Sequence, residues 1–444
     1  MAKARRPCDR SAVSPPVPSV PFAEAARVWA RIGILSFGGP AAQIALMHRV
    51  LVDEQKWVGE AQFLHALNFC MLLPGPEAQQ LATYVGWLLH GVRGGLVAGL
   101  LFILPGMLVM LGLSVLYVTL GQVPAVAGLL FGLKAAVLVI VVEALERVGS
   151  RALGSGVARL LAVLAFAALF LFGVPFPAVV LAAGLIGYVA GRRGSTVFAR
   201  APGDAATGET PRRSAPLAIL GIAALWLAPL ALLWLVLPGG VYAEIARFFS
   251  WLAVITFGGA YAVLSYMTDV VVGSFGWLRP HEMMDALGLA ETTPGPLILV
   301  TQFVGVVAAW RENGGSVGAG ILGALLTTWV TFAPCFLWIF VGAPYVERLR
   351  GNRAVASARA ASTAGVVGVI ANLGVWFGVH FLFARTVRLD AGPFDAALPD
   401  WASLDAAALA LTVLLGVIAW RWRIGIGRLL LIGIALGLAV RAVL

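Results

Sequence analysis

Apolar stretches dominate the chain and fall at about 22–46, 94–118, 124–146, 157–173, 176–191, 216–237, 243–268, 316–343, 354–382, 402–420 and 424–443. Most approach the roughly 20 residues that carry a helix across a bilayer. Two further stretches, 60–91 and 280–311, are apolar but interrupted by Pro-Gly-Pro. The pattern predicts an all-α polytopic membrane protein with about 12–13 transmembrane helices, two of them broken. Residues 1–21 read as a disordered tail, because they are basic, rich in Pro and Ser, and lack the apolar core of a signal peptide. The only long polar linker is 192–215, whose 192–214 portion holds five arginines against two acids. It separates a first unit at 22–191 from a second at 216–444, which carries one extra helix at 216–237.

The two units repeat each other. Phe37-Gly38-Gly39 matches Phe257-Gly258-Gly259, Trp57 matches Trp277, and Pro74-Gly75-Pro76 matches Pro294-Gly295-Pro296, each at an offset of 220. Across 37–76 and 257–296, 13 of 40 positions are identical without a gap. Beyond that block the offset becomes 229, so the second unit carries about nine extra residues near 311–323. Repeats of this kind define an architecture before any single helix does.

Arginine placement orients the chain, since cytoplasmic loops collect positive charge. With 192–214 inside, Arg147, Arg151, Arg159, Arg348, Arg350, Arg353, Arg359, Arg421, Arg423 and Arg428 also fall inside. The Arg5/Arg6/Arg10 tail joins them if 60–91 crosses once in net. Seven crossings then separate the first spans of the two units, and an odd number makes the halves inverted, as in many secondary transporters. Arg49 and Lys56 fall outside under this path, against the rule.

Composition fits a bilayer: 60% of residues are hydrophobic and 12% charged, against about 45–50% and about 25% in soluble domains. The net charge of +10 lies in short clusters between apolar spans, which argues against nucleic acid as a partner. Cys8, Cys70 and Cys335 form no CxxC pair, and no His/Cys spacing suits a metal, so no cofactor or metal is expected. No phosphate-binding GxxxxGK[ST] loop supports an ATP-driven pump.

The candidate chemistry sits at the interruptions. Proline removes an N–H and clashes with the preceding turn, so Pro-Gly-Pro must break a helix. In lipid such a break must be buried in protein or line a cavity. Pro76 suits the first turn of a new helix, which leaves amides near Glu77, Gln79 and Gln80 as free donors at a positive dipole end, a site for oxyanions. Thr292-Thr293-Pro294-Gly295-Pro296 repeats the device with two hydroxyls. Gly38, Gly39 and Pro40, with Gly258 and Gly259, either let backbones approach closely or unwind a helix beside a ligand. Lys134, mid-span, either neutralises an anionic substrate or pairs with a carboxylate such as Glu77. Glu77 and Glu291 flank the two breaks and either cap a helix or carry a coupling proton. Trp57 and Trp277 are expected as interfacial anchors.

These residues resemble the chromate ion transporter family in its long, two-domain form, over nearly the whole chain from Phe22 to Leu444. The carriers are FGGP at 37–40, DEQKWVGEAQF at 53–63, LPGP at 73–76, FGGA at 257–260, GWLRPHEM at 276–283 and TTPGP at 292–296. The resemblance implies efflux of chromate across the bacterial cytoplasmic membrane, giving chromate resistance, with sulfate as the related oxyanion. The residue chemistry by itself supplies a small anion only. A sulfate uptake carrier and a channel stay open as readings. A membrane-embedded redox enzyme would need a haem, flavin or Fe–S spacing, and none is seen. The lipid bilayer is the other expected partner, and the chain is compatible with a homodimer.

Overall fold

The computed structural model describes residues 20–443 apart from 122, 196, 199–215, 257–259, 343–352 and 393. The tail and most of the 192–215 linker, as well as Gly258 and Gly259, therefore lie outside the described residues.

Helices α1 (Phe22–Leu35) and α2 (Gly39–His48) divide the first expected span. Gly38 and Gly39 stand at φ 87° and 76°, in left-handed backbone that leaves the α-helix, so the paired glycines unwind it. Helix α2 runs on as a π-turn to Glu54. After α3 (Glu60–Cys70) comes the first Pro-Gly-Pro, then α4 (Glu77–Leu120). Helix α4 is itself folded at His90 and Gly91 into limbs 77–89 and 92–120. Helices α5 (Pro124–Ala152), α6 (Gly156–Phe172) and α7 (Phe176–Arg192) complete the first unit, and α8 (Pro216–Val236) follows.

The second unit repeats the order: α9 (Val241–Ile255), α10 (Ala260–Thr268), α11 (Pro280–Thr292), the second Pro-Gly-Pro, and a 3-10 turn (Leu297–Leu299) leading into α12 (Val300–Glu312). Next come α13 (Val317–Gly342) and α14 (Arg353–Leu382), then a hairpin of β1 (Thr386–Ala391) and β2 (Phe394–Pro399). Helices α15 (Ala406–Trp422) and α16 (Ile426–Val443) end the chain. The extra residues of the second unit fall at the α12–α13 turn, where the first unit has the fold at His90 and Gly91. Among the described residues, five helices (α4, α5, α8, α13 and α14) are long and apolar enough to cross a membrane, and α6, α7 and α15 are shorter apolar helices.

The interrupted segments do not run straight. Glu282 opens α11 and Arg311 ends α12, yet their side chains meet at 2.7 Å, and Arg311 also donates to the Trp277 carbonyl. Phe69 on α3 and Tyr84 on α4 have ring centroids 5.5 Å apart across the first Pro-Gly-Pro. Phe248 on α9 lies 5.5 Å from Phe275, beyond α10. Arg31 on α1 reaches Glu54, past α2, at 3.9 Å. All four segments therefore fold back on themselves, and in α11–α12 the two limbs return to one end. Segment 60–91 thus folds back at Pro-Gly-Pro rather than running straight. Past α2, Glu54 also lies 3.6 Å from Arg49, so this turn comes back alongside α1.

The second limb of α4 shows how the hairpins meet. Phe22 stacks edge-on against His90 at 5.4 Å, and Gly33 lies against the Leu101 carbonyl, so α1 climbs beside 92–120 from its beginning. Pro294 and Gly295 lie against Gly106 and the Phe102 carbonyl, while Asp285 and Phe303 contact Tyr117. The α11–α12 hairpin thus approaches from the opposite end. Tips of both meet at Leu101–Gly106, near the middle of that limb. Helix α13 serves the other pair in the same way. Tyr242 of α9 donates to the Ala319 carbonyl near its start, Gly75 lies against Cys335, and Phe69 packs on Gly342 at its end.

Trp57 and Trp277 are each 5% exposed, and Trp277 stacks on Phe275 at 4.2 Å. They fill the hairpin bases rather than anchoring an interface, because their rings are needed between limbs.

Candidate functional site

The four hairpin tips exchange partners across the repeat. The Gly75 amide donates to the Thr256 carbonyl at 2.9 Å, and the Gly295 amide donates to the Ser36 carbonyl at 2.7 Å. Both pairs obey the offset of 220, so each Pro-Gly-Pro of one unit is held by the residue preceding Phe-Gly-Gly of the other. Such reciprocal contacts are the signature of a local two-fold axis. The geometry depends on glycine. Gly75 has φ 120° and Gly295 φ 83°, and a Cβ at Gly75 would stand 2.8 Å from Cys335 Sγ and 2.9 Å from Gln80 Nε2.

Where the tips meet, a small, partly open cavity is lined by Pro40, Gln43, Gly75, Pro76, Glu77, Ala78, Thr256, Ala260 and 296–298. Helices α2, α4, α10 and the turn at Leu297 all begin there. The three described N-caps, Gly38, Pro76 and Pro296, make no side-chain hydrogen bond to the turns they open. Each helix N-terminus carries roughly half a positive charge, so four together present about two. Among the lining residues there is no Lys, Arg or His, and Glu77 is the one acid. The cavity therefore suits a small anion held by backbone dipoles.

The expected residues divide three ways. Pro40, Gly75, Pro76, Glu77 and Pro296 line the cavity. Gly38, Gly39, Pro74, Pro294 and Gly295 shape the tips without lining it. Gln79, Gln80, Thr292 and Thr293 serve local structure: Gln79 donates to Thr83, Gln80 to the Pro74 carbonyl, Thr292 to the Leu289 carbonyl and Thr293 to the Ala290 carbonyl. Each threonine has one O–H and gives it to its own segment, so the two hydroxyls do not face an anion as expected.

Lys134 is not among the lining residues. Its Nζ lies 3.0 Å from Asp285 Oδ1 on α11, with side chains 15% and 4% exposed, and Tyr117 donates to Asp285 Oδ2 at 3.1 Å. The carboxylate expected as its partner, Glu77, is replaced by one from the other unit. Glu291 accepts from Tyr261 at 2.8 Å and also stays outside the lining.

Sequence reasoning missed Gln43, which lines the cavity, is 1% exposed, and donates to the Gly295 carbonyl at 2.6 Å. A lone amide in an apolar run just after Phe-Gly-Gly was the available signal. Ser36 and Thr256, one step ahead of the aligned blocks, share a hydroxyl at the same repeat position and were overlooked for the same reason.

Residues 23–188 and 243–440 match the family described as Chromate transporter. Helix α8 lies between the matched segments. A chromate transport protein of Pseudomonas aeruginosa is 32% identical over 346 residues, 77% of each chain. A probable chromate transport protein of Synechococcus elongatus is 26% identical over 413 residues, 91% of this chain and 97% of the relative. A chromate transport protein of Cupriavidus metallidurans is 28% identical over 77% of this chain and 78% of its own. No solved structure matches the chain.

Proposed function

The chain belongs to the chromate transporter family, and we propose that it exports chromate across the bacterial cytoplasmic membrane, holding it between the four hairpin tips. The observation that carries this reading is the reciprocal pairing of Gly75 with Thr256 and Gly295 with Ser36, which gathers four helix starts around one cavity. Helix N-termini bind oxyanions through unpaired amides and the dipole. Gly38 and Gly39 support the tips, and Gln43 joins the binding set.

The arginines support an inverted arrangement. From the first unit's hairpins to those of the second, the chain passes through the second limb of α4, then α5, α6, α7 and α8. Five passages, like the seven expected, are odd, so the two sets of hairpins enter from opposite faces. Arg49, Lys56, Arg93, Arg147, Arg353 and Arg421 then share one face, the cytoplasmic one by charge. An inside-negative potential favours outward movement by about 2.3 kcal/mol per negative charge per 100 mV. Export of an anion thus needs no ATP, whereas sulfate or chromate uptake would need cation coupling. Everted vesicles carrying the protein are expected to load radiolabelled chromate when energised. Loading only by right-side-out vesicles would reverse the direction and favour the uptake reading. Sulfate added as competitor reports the preference between the two oxyanions.

A further inference from the structure

We propose that Glu77 binds one proton with each oxyanion, so that chromate and a proton move together. The inference rests on reading the cavity as the oxyanion site.

Glu77 is the one carboxylate lining the cavity, and the matching repeat position is Leu297. It opens α4, where an acid gains from the helix dipole and from uncapped amides. In the empty carrier its carboxylate supplies the negative charge that four helix starts attract. An arriving dianion competes for the same amides and repels the carboxylate at close range. Both cannot stay ionised there. One proton from the side of arrival converts the Glu77 carboxylate to the acid. The oxyanion then enters as a dianion, and the proton leaves with it on the other side. Net movement is one negative charge per oxyanion instead of two.

The surroundings leave Glu77 free to do this. Among the described residues it forms no ion pair. The titratable or charged groups coupled to it electrostatically are the buried Cys70 thiol on α3 and Arg359 on α14. Glu291, near the other break, is bound by Tyr261 and does not reach the cavity lining.

The test uses the full-length protein with chromate in weakly buffered alkaline solution, where chromate itself holds no proton. Wild type is expected to take up one proton per chromate bound, read by a pH-sensitive dye. Its affinity should weaken by up to about tenfold per pH unit as pH rises. Glu77→Gln is expected to bind with no proton uptake and with affinity independent of pH. In vesicles at a clamped potential, its accumulation ratio should respond to voltage twice as steeply as that of wild type. Wild-type binding without proton uptake, or a pH dependence retained in Glu77→Gln, would overturn the proposal and leave the oxyanion site standing. Absence of chromate binding by folded wild type would overturn the site reading itself. The wild-type proton count decides the matter even if Glu77→Gln does not fold.

Discussion

A lysine in the middle of an apolar helix must find a counter-charge, and Lys134 finds Asp285 on the opposite unit. The need was legible in the sequence. The partner was not, because Asp285 lies 151 residues away and the two meet only when α5 packs on α11. Breaking a buried pair strands one charge and costs about 3–5 kcal/mol, whereas apolar replacement of both partners is often neutral. Lys134→Met alone is expected to lower the melting temperature sharply, and Lys134→Met with Asp285→Leu to recover most of it. Equal melting temperatures for the single variant and wild type would show that the pair holds nothing. Gln43 makes a similar point at the cavity. Gln43→Leu leaves the Gly295 carbonyl without its donor, a loss of about 1–3 kcal/mol. It should cut transport at least tenfold while the protein still folds, as read by chromate flux in vesicles.

Each interrupted segment has the apolar length of a crossing helix, so its composition cannot tell a crossing from a hairpin. The turn chemistry was visible in Phe-Gly-Gly and Pro-Gly-Pro. The doubling back was announced only by Arg49 and Lys56, which broke the charge rule along a straight path. Cysteines placed by Glu282→Cys and Arg311→Cys are expected to be joined by a short bifunctional thiol cross-linker. A straight helix would hold them about 43 Å apart, at 1.5 Å for each of the 29 intervening steps, and no cross-link would form. The tips themselves tolerate little. Gly75→Ala places a Cβ against Cys335 Sγ and Gln80 Nε2 in left-handed backbone, and should abolish transport while leaving membrane insertion intact. Wild-type flux in that variant would show that the tip geometry is dispensable.

For the whole molecule, the offset of 220 revealed two related halves, and the structure turns that repeat into interlocked pairs of hairpins that approach along α4 and α13. The proposed inverted arrangement places Lys56 at the cytoplasmic face and Arg279 at the opposite one. Membrane-impermeant thiol reagent applied to intact cells is expected to spare Lys56→Cys and to modify Arg279→Cys. The reverse pattern would invert the orientation. Locating a heavy oxyanion such as tungstate by anomalous scattering in crystals of the protein tests the central claim most directly. The peak should lie among Pro40, Pro76, Ala260 and Pro296. A single peak elsewhere, such as beside Lys134, with this cavity empty, would contradict it.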